Sequence, residues 1–227
     1  MQFTSLIDPG SVALVLGGTV LATVLRAGWQ DLDQTLRALA ALVRPRFSAD
    51  QAKADLAAQV TAIRQDGILR ANPRRIGDSE FDDATDAMIR SRSLDALIDR
   101  HHAYRKQRQS ASNAAIRTLA QAAELGPVFG MVGTLVSLSS LPSDGLAPGA
   151  LNGAISMAVT TTLYGLLLAN LVLAPLARAV ERRALAEERG RQLVIDWLSQ
   201  QIEPALPHHA QLQPQHPLHA LQQRVSA

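Results

Sequence analysis

What residues 125–177 offer for chemistry is hydroxyl groups set among very small side chains. Gly126, Gly130, Gly133 and Ser137 recur at spacings of four, three and four, with Thr134 beside them. Ala158, Thr162, Gly165 and Ala169 repeat the same spacing further on. In a helix, spacings of three and four put each set on one face. Small residues on such a face let two backbones approach in lipid. The hydroxyls can bond the carbonyl one turn back, or they can offer oxygen to an ion or a water. Two readings follow. One is ordinary close packing between helices; the other is a close-packed wall that accepts a partner helix and solvates an ion.

Proton relay by a carboxylate of this stretch is excluded. Its single charged residue is Asp144, which lies in a Ser/Asp/Gly/Pro turn, and the apolar runs on either side hold no Asp, Glu, Lys, Arg or His. A charge in mid-membrane costs at least about 2.5–3.5 kcal/mol and usually marks an ion path. Pro127 and Pro175 stand near the other ends of the two runs. Each removes a backbone donor and kinks or loosens its helix; they are helix-end prolines or, paired at one depth, a hinge. No P-loop, nucleophile elbow, HExxH or glycine fingerprint occurs. No catalytic residue, cofactor or metal ligand is therefore assigned, and the chain does not read as an enzyme. His101 and His102 are adjacent, point to different faces and read as a solvated pair. Cysteine is absent, and aromatic residues, at 4%, are too few for nucleic-acid stacking platforms.

The elements that must position the hydroxyls are long apolar helices. Residues 125–143 form an uncharged run of 19 and residues 145–177 one of 33. A span needs roughly 20 apolar residues, so the two form a transmembrane hairpin with a polar turn at 142–148. Residues 9–25 form a third apolar run, with Gly17 and Gly18 at its middle for close packing. The eight residues before it carry no Lys or Arg, which argues against a signal peptide. Arg26, Arg37, Arg44 and Arg46 follow the first run; Arg100, Arg105, Lys106, Arg108 and Arg117 precede the second; Arg178, Arg182, Arg183, Arg189 and Arg191 follow the third. Positive-inside topology then puts the N-terminus and the 142–148 turn outside, and residues 28–118 and the C-terminus in the cytoplasm.

The fold class is thus an all-α membrane protein with three transmembrane helices, N-out and C-in, and a helical cytoplasmic domain between the first and second. The segments are 1–27, 28–118, 119–180 and 181–227. Leu32, Leu36, Leu39 and Val43 give residues 29–43 an amphipathic helix at the membrane surface, with Trp29 at the headgroups and Pro45 ending it. Ser48 with Gln51 is a capping box for a helix whose packed face is Leu56, Val60, Ile63 and Gly67. Asn72-Pro73 is a turn. A further helix starts near Ser79, with Asp82 three residues on and Phe81, Met88 and Ile89 apolar. From Ser93 one long helix runs into the second span. The tail after Glu203, with His208, His209, His216 and His219, has a disordered composition.

The segments GPVFGMVGTLVSL and LNGAISMAVTTTLYGLLLANLVLAPLA closely resemble the last two spans of the MotA/TolQ/ExbB family of ion-driven motor subunits. DPGSVALVLGGTVLATVL is similar to the second span of MotA proteins, and AIRQDGIL to their rotor-facing cytoplasmic segment. The resemblance covers most of residues 6–183 and is weakest between 72 and 115. It implies a homo-pentamer around a dimer of a MotB/ExbD-like single-span protein, whose transmembrane Asp carries the proton or sodium ion, in the bacterial inner (cytoplasmic) membrane. By the same resemblance Thr134 and Thr162 face the ion path, Pro127 and Pro175 are the motor prolines, and Arg64 contacts a rotor.

Two departures stand out. MotA proteins have another span before the DP-x-S segment, whereas only residues 1–7 precede Asp8 here, so that helix is lost or the start lies upstream. MotA proteins continue the rotor segment with Leu-Glu where this chain has Ala71-Asn72. The leading expectation is a MotA-like flagellar stator subunit that converts ion-motive force into torque. The alternatives are a TolQ/ExbB-like energiser of outer-membrane transport or envelope integrity, and a non-conducting membrane scaffold. The lipid bilayer is a partner in every case; nucleic acid is not.

Overall fold

The structure is a computed structural model of the single chain and describes residues 8–66, 75–141 and 149–205. Its regular elements there are helical: α1 (Pro9–Arg26), α2 (Trp29–Val43), α3 (Ala49–Asp66), α4 (Ser79–Ser91), α5 (Leu94–Ser139), α6 (Ala150–Leu167), a π-helical turn (Leu168–Leu173), α7 (Ala174–Ile202) and a short 3-10 turn (Glu203–Ala205). Three runs are long and apolar enough to cross a membrane: α1 with 18 residues, α5 with 46, and Ala150–Ile202 with 53. At 1.5 Å per residue α5 is about 69 Å long, over twice the hydrocarbon thickness, so much of it lies outside lipid. The 142–148 turn, Gly67, the Asn72-Pro73 turn, the Ala71-Asn72 departure and the histidines of the tail lie outside the described residues.

Two compact units take two stretches of chain each: Met1–Phe47 with Arg105–Gly190, and Ser48–Tyr104 with Arg191–Ala227. In the first unit α1 begins at an Asp8 cap. Its carboxylate accepts from the backbone N–H of Gly10 (3.2 Å) and of Ser11 (3.0 Å) and from the Ser11 hydroxyl. Pro9 follows at the first helical position, where its missing N–H costs nothing. Ser11, Val15, Thr19 and Thr23, one turn apart, form the buried stripe of α1, which packs against α6. The Thr23 hydroxyl donates to the Thr19 carbonyl (2.7 Å), while the Thr19 hydroxyl is buried without a partner. Of the two mid-helix glycines only Gly18 is a packing residue: it lies against the Phe129 ring of α5 with no room for a Cβ. Gly17 has nothing within 4 Å.

The boundaries of α2 are those expected, but its packed face is rotated. Ala38, Leu39 and Leu42 pack on a cluster of Ala115, Leu119, Ala177 and Val180 from α5 and α7. Thr35 is buried beside them, its hydroxyl on the Asp31 carbonyl (2.6 Å). Trp29, Leu36 and Val43, seven residues apart, stay exposed. The apolar stripe read from the sequence is therefore split between a packed edge and an outward one. Glu188 ties α7 to α5 through Arg108 (2.9 Å) and Arg105 (3.5 Å).

In the second unit Ala52, Leu56, Gln59, Val60 and Ile63 make the buried face of α3, and Gln51 N–H meets the Ser48 hydroxyl at 3.3 Å. Phe81, Met88, Leu97, Val194, Leu198 and Ile202 are buried in the same unit. α4 starts at Ser79, as expected, and its cap is Asp78, whose carboxylate accepts from Glu80 N–H (3.1 Å) and Phe81 N–H (3.4 Å). Asp82 instead reaches back to Ile76 N–H at 2.8 Å. His102 is exposed, but His101 is buried rather than solvated, with the two ring centroids 6.0 Å apart. Gln192 donates to Asp196 (2.8 Å), which turns its amide oxygen toward His101 at 3.1 Å, so the His101 Nε2 carries the proton. Tyr104 donates to Asp83 (3.0 Å), and that bond raises the phenol above its usual range. Arg191 lies over the Phe81 ring, 5.4 Å from its centroid, and pairs with Asp78 (3.0 Å) and Glu80 (3.4 Å).

Three substitutions test these contacts. A Cβ at Gly165 would stand 2.5 Å from the Gly126 carbonyl oxygen. Gly165→Ala should therefore cost about 1–3 kcal/mol as overpacking, whereas Gly17→Ala should stay within about 0.5 kcal/mol. Thermal unfolding in detergent would measure both, and equal midpoints would contradict the packing described. Arg191→Met leaves two carboxylates uncompensated at the start of α4 and should cost on the order of 2 kcal/mol. Hydrogen exchange would show it as faster exchange of the α4 amides, with α1 unchanged.

Candidate functional site

The site is built on the α5–α6 pair. Glycine at 126, 130 and 133 of α5 lets that helix touch the backbone of α6. A Cβ on Gly126 would lie 2.8 Å from the Gly165 carbonyl oxygen, one on Gly130 3.1 Å from the Thr161 oxygen, and one on Gly133 2.6 Å from the Thr161 Cβ. Gly165 answers Gly126 from the other side, and Ala169 stands 3.3 Å from the Gly126 position. The Ser137 hydroxyl donates across the seam to the Ala154 carbonyl. The four glycines of the two small-residue stripes thus meet in one interface, whose close approach permits van der Waals packing where the hydrophobic effect gives none.

The hydroxyls divide into two classes. Thr161 is fully buried at the seam, its hydroxyl on the Ala158 carbonyl at 3.0 Å. It is the residue the sequence pattern missed, because the run Thr160-Thr161-Thr162 offers a threonine to every candidate face. Thr162, placed on the stripe by spacing, sits half-buried at its edge, and its hydroxyl donates to the same carbonyl at 3.1 Å. Thr134 is likewise half-buried and donates to the Met131 carbonyl at 2.6 Å. Each hydroxyl has spent its proton on its own helix. The oxygens of Thr134 and Thr162 keep lone pairs to offer a cation or a water, and neither is sealed in the seam.

Which side they face follows from α1. Phe129 meets α1 at Gly18 and lies one residue, about 100° of turn, to one side of Gly130; Thr134 lies about 40° to the other. On α6, Met157, Thr161, Tyr164 and Leu168 are buried or half-buried on the α1 side, and Val159, Leu163 and Leu166 are exposed opposite. The pair therefore has one flank covered by α1 and one open flank that carries Thr134 and Thr162.

Both prolines interrupt hydrogen-bond ladders. Pro127 lies inside α5, next to Gly126 of the seam. Pro175 is the second residue of α7 and follows the π-helical turn Leu168–Leu173. Ala174 N–H bonds Ala169 O, five residues back, which is the wide register. The widening makes room for a proline ring that would clash with the carbonyl four residues earlier. Arg64, at the end of α3, is exposed and donates to the Gln201 side chain at 3.1 Å within the second unit.

A model of the MotA/TolQ/ExbB proton channel family matches residues 66–192. Motility protein A of Cereibacter sphaeroides is 28% identical over 204 residues, 85% of this chain and 76% of that protein. Chemotaxis protein PomA of Vibrio alginolyticus is 28% identical over 198 residues, 84% of this chain and 76% of that protein. In fold, the chain is similar to a C. jejuni MotAB structure, with a TM-score of 0.78 and 17% identity over 94% of this chain and 88% of that one. It is equally similar to the flagellar MotAB stator complex of Bacillus subtilis, with a TM-score of 0.78 and 18% identity over 98% and 90%. With glycine-closed helices, an open hydroxyl flank and a family match spanning more than half its length, this chain belongs to the MotA/TolQ/ExbB proton channel family.

Proposed function

We propose that the chain is a MotA-like flagellar stator subunit of the bacterial inner membrane, assembled as a pentamer around two copies of a MotB/ExbD-like single-span protein. The observation that carries this reading is the open flank of the α5–α6 pair: hydroxyl oxygens without an ion carrier, on a wall closed from behind by α1. Such a wall conducts only when another helix brings a titratable group to it. A transmembrane carboxylate on the partner supplies that group, and the threonine oxygens solvate the ion as it passes. Each elementary charge crossing 100 mV releases about 2.3 kcal/mol, enough to bias a step between alternative subunit contacts. Pro127 and Pro175 are the motor prolines, where weakened ladders let a helix bend at low cost. The first span enters N-out, residues 28–118 and 181–227 lie in the cytoplasm, and Arg64 presents the rotor-facing charge. The names of the relatives, a motility protein and a chemotaxis protein, favour this reading over a transport energiser.

Co-purification from native membranes tests the assembly. A single-span protein with a transmembrane Asp, near a 5:2 ratio and bearing a peptidoglycan-binding domain, is the expected result. A TonB-like companion would mean the transport energiser, and a homo-oligomer alone would mean a scaffold. In proteoliposomes of the complex, Thr162→Val with Thr134→Ala should lower ion flux at least about tenfold with assembly intact, as expected when oxygen ligands are lost from a desolvated path; unchanged flux would make the hydroxyls packing groups only. Arg64→Glu should abolish motility while leaving flux unaltered, and full motility in that variant would remove Arg64 from the rotor contact.

A further inference from the structure

Asn170 is a carboxamide on the outer surface of the third span, in the middle of the π-helical turn. Its Nδ2 donates to the Leu166 carbonyl at 3.0 Å, which spends one amide proton and leaves the Oδ1 and the second proton facing outward. The first charge beyond it is Arg178, eight residues on, about 12 Å along the helix. Asn170 therefore lies inside the apolar part of the span. An amide there cannot be left facing lipid without a heavy desolvation penalty.

The backbone beside it is short of donors too. Pro175 has no N–H, so it cannot serve Leu171 O in the α register or Asn170 O in the wide one, and Ala174 N–H is already on Ala169 O. Side-chain and main-chain oxygens thus gather at one level. On the helix wheel Asn170 falls on the open flank, with Leu166 and Val159, on the side that holds Thr162. Thr162 lies eight residues further from Arg178, again about 12 Å away.

We propose that Asn170 and the interrupted ladder at Asn170–Leu171 form a second, water-bearing station of the ion path, between Thr162 and the Arg178 end of the span. The inference rests on the ion-channel reading above. The ligand is a hydrated cation or hydronium: oxygens accept from it, the remaining amide proton orients one water, and no charged group of this chain is needed. The wide turn that accommodates Pro175 is then also what exposes the oxygens that receive the ion after the threonine.

The chain has no cysteine, so single thiols report on it cleanly. Asn170→Cys, Thr162→Cys and Leu171→Cys would be made in the complex with a cysteine-free partner, in proteoliposomes, and treated with a charged thiosulfonate. Leu171 is the outward neighbour and is 68% exposed in the single chain. Thiolates form in water and not in hydrocarbon, so Asn170→Cys should react at least about tenfold faster than Leu171→Cys and close to Thr162→Cys. Flux in Asn170→Leu should fall about tenfold, with Asn170→Gln retaining at least about half, as expected for a lost hydrogen-bonding group at a desolvated step. Equal reactivity at 170 and 171, or wild-type flux in Asn170→Leu, overturns the station. A complex that dissociates in Asn170→Leu and reassembles in Asn170→Gln makes the amide a subunit contact and overturns it as well. A wild-type complex that carries no ion overturns the channel reading, which a failure at Asn170 alone would leave standing.

Discussion

The backbone contact between Gly126 and Gly165 sets the rest of the membrane unit. It allows no side chain on either partner, and each glycine excludes a Cβ with the other's carbonyl oxygen. Once those two points are fixed, the seam continues through Gly130, Gly133 and Ser137, and the flanking positions are assigned by helical turn alone. Phe129 is sent to α1, and Thr134 and Thr162 to the other side. In the proposed ion-channel reading, conduction and packing are thus not alternative uses of the small-residue stripe. The stripe packs, and its rigidity aims the neighbouring hydroxyls.

This division of labour explains the absence of charge in the spans. A carboxylate on every copy of an oligomer would place several like charges around one path, each raising the cost of ionising the next. In the proposed stator reading, a neutral wall with oxygen ligands avoids that repulsion and leaves titration to the partner. Outside the spans the charges are abundant and do structural work instead. Arg191 fastens the start of α4 to α7, and Arg108 with Arg105 holds Glu188.

The helices were legible because lipid imposes long uninterrupted runs, and because Asp8-Pro9 and Pro45 punctuate the chain. The glycine stripe was legible because its spacing repeats. Finer placements were not. Thr161 replaces Thr162 at the buried seam because three consecutive threonines give periodicity nothing to choose by. Asp78 caps α4 from the position before its first residue, where one carboxylate oxygen accepts from both Glu80 N–H and Phe81 N–H. His101 is buried because Gln192, ninety-one residues away in sequence, supplies its partner, and no local pattern reports that. The π-helical turn escaped notice because a proline near a helix end looks the same whether the preceding turn is regular or wide.

The hydrogen bonds of α1 bear on how the protein is made. About 70 residues separate the end of α1 from the start of α5, so at 5–20 residues per second α1 emerges from the ribosome several seconds before either helix it packs on. During that interval neither α5 nor α6 is there to cover the stripe that carries Ser11, Thr19 and Thr23. Ser11 is already bound to Asp8, and Thr23 to the Thr19 carbonyl. Two of the three hydroxyls are thus satisfied without any neighbour, which lets the first span wait in the membrane for the hairpin that will cover it.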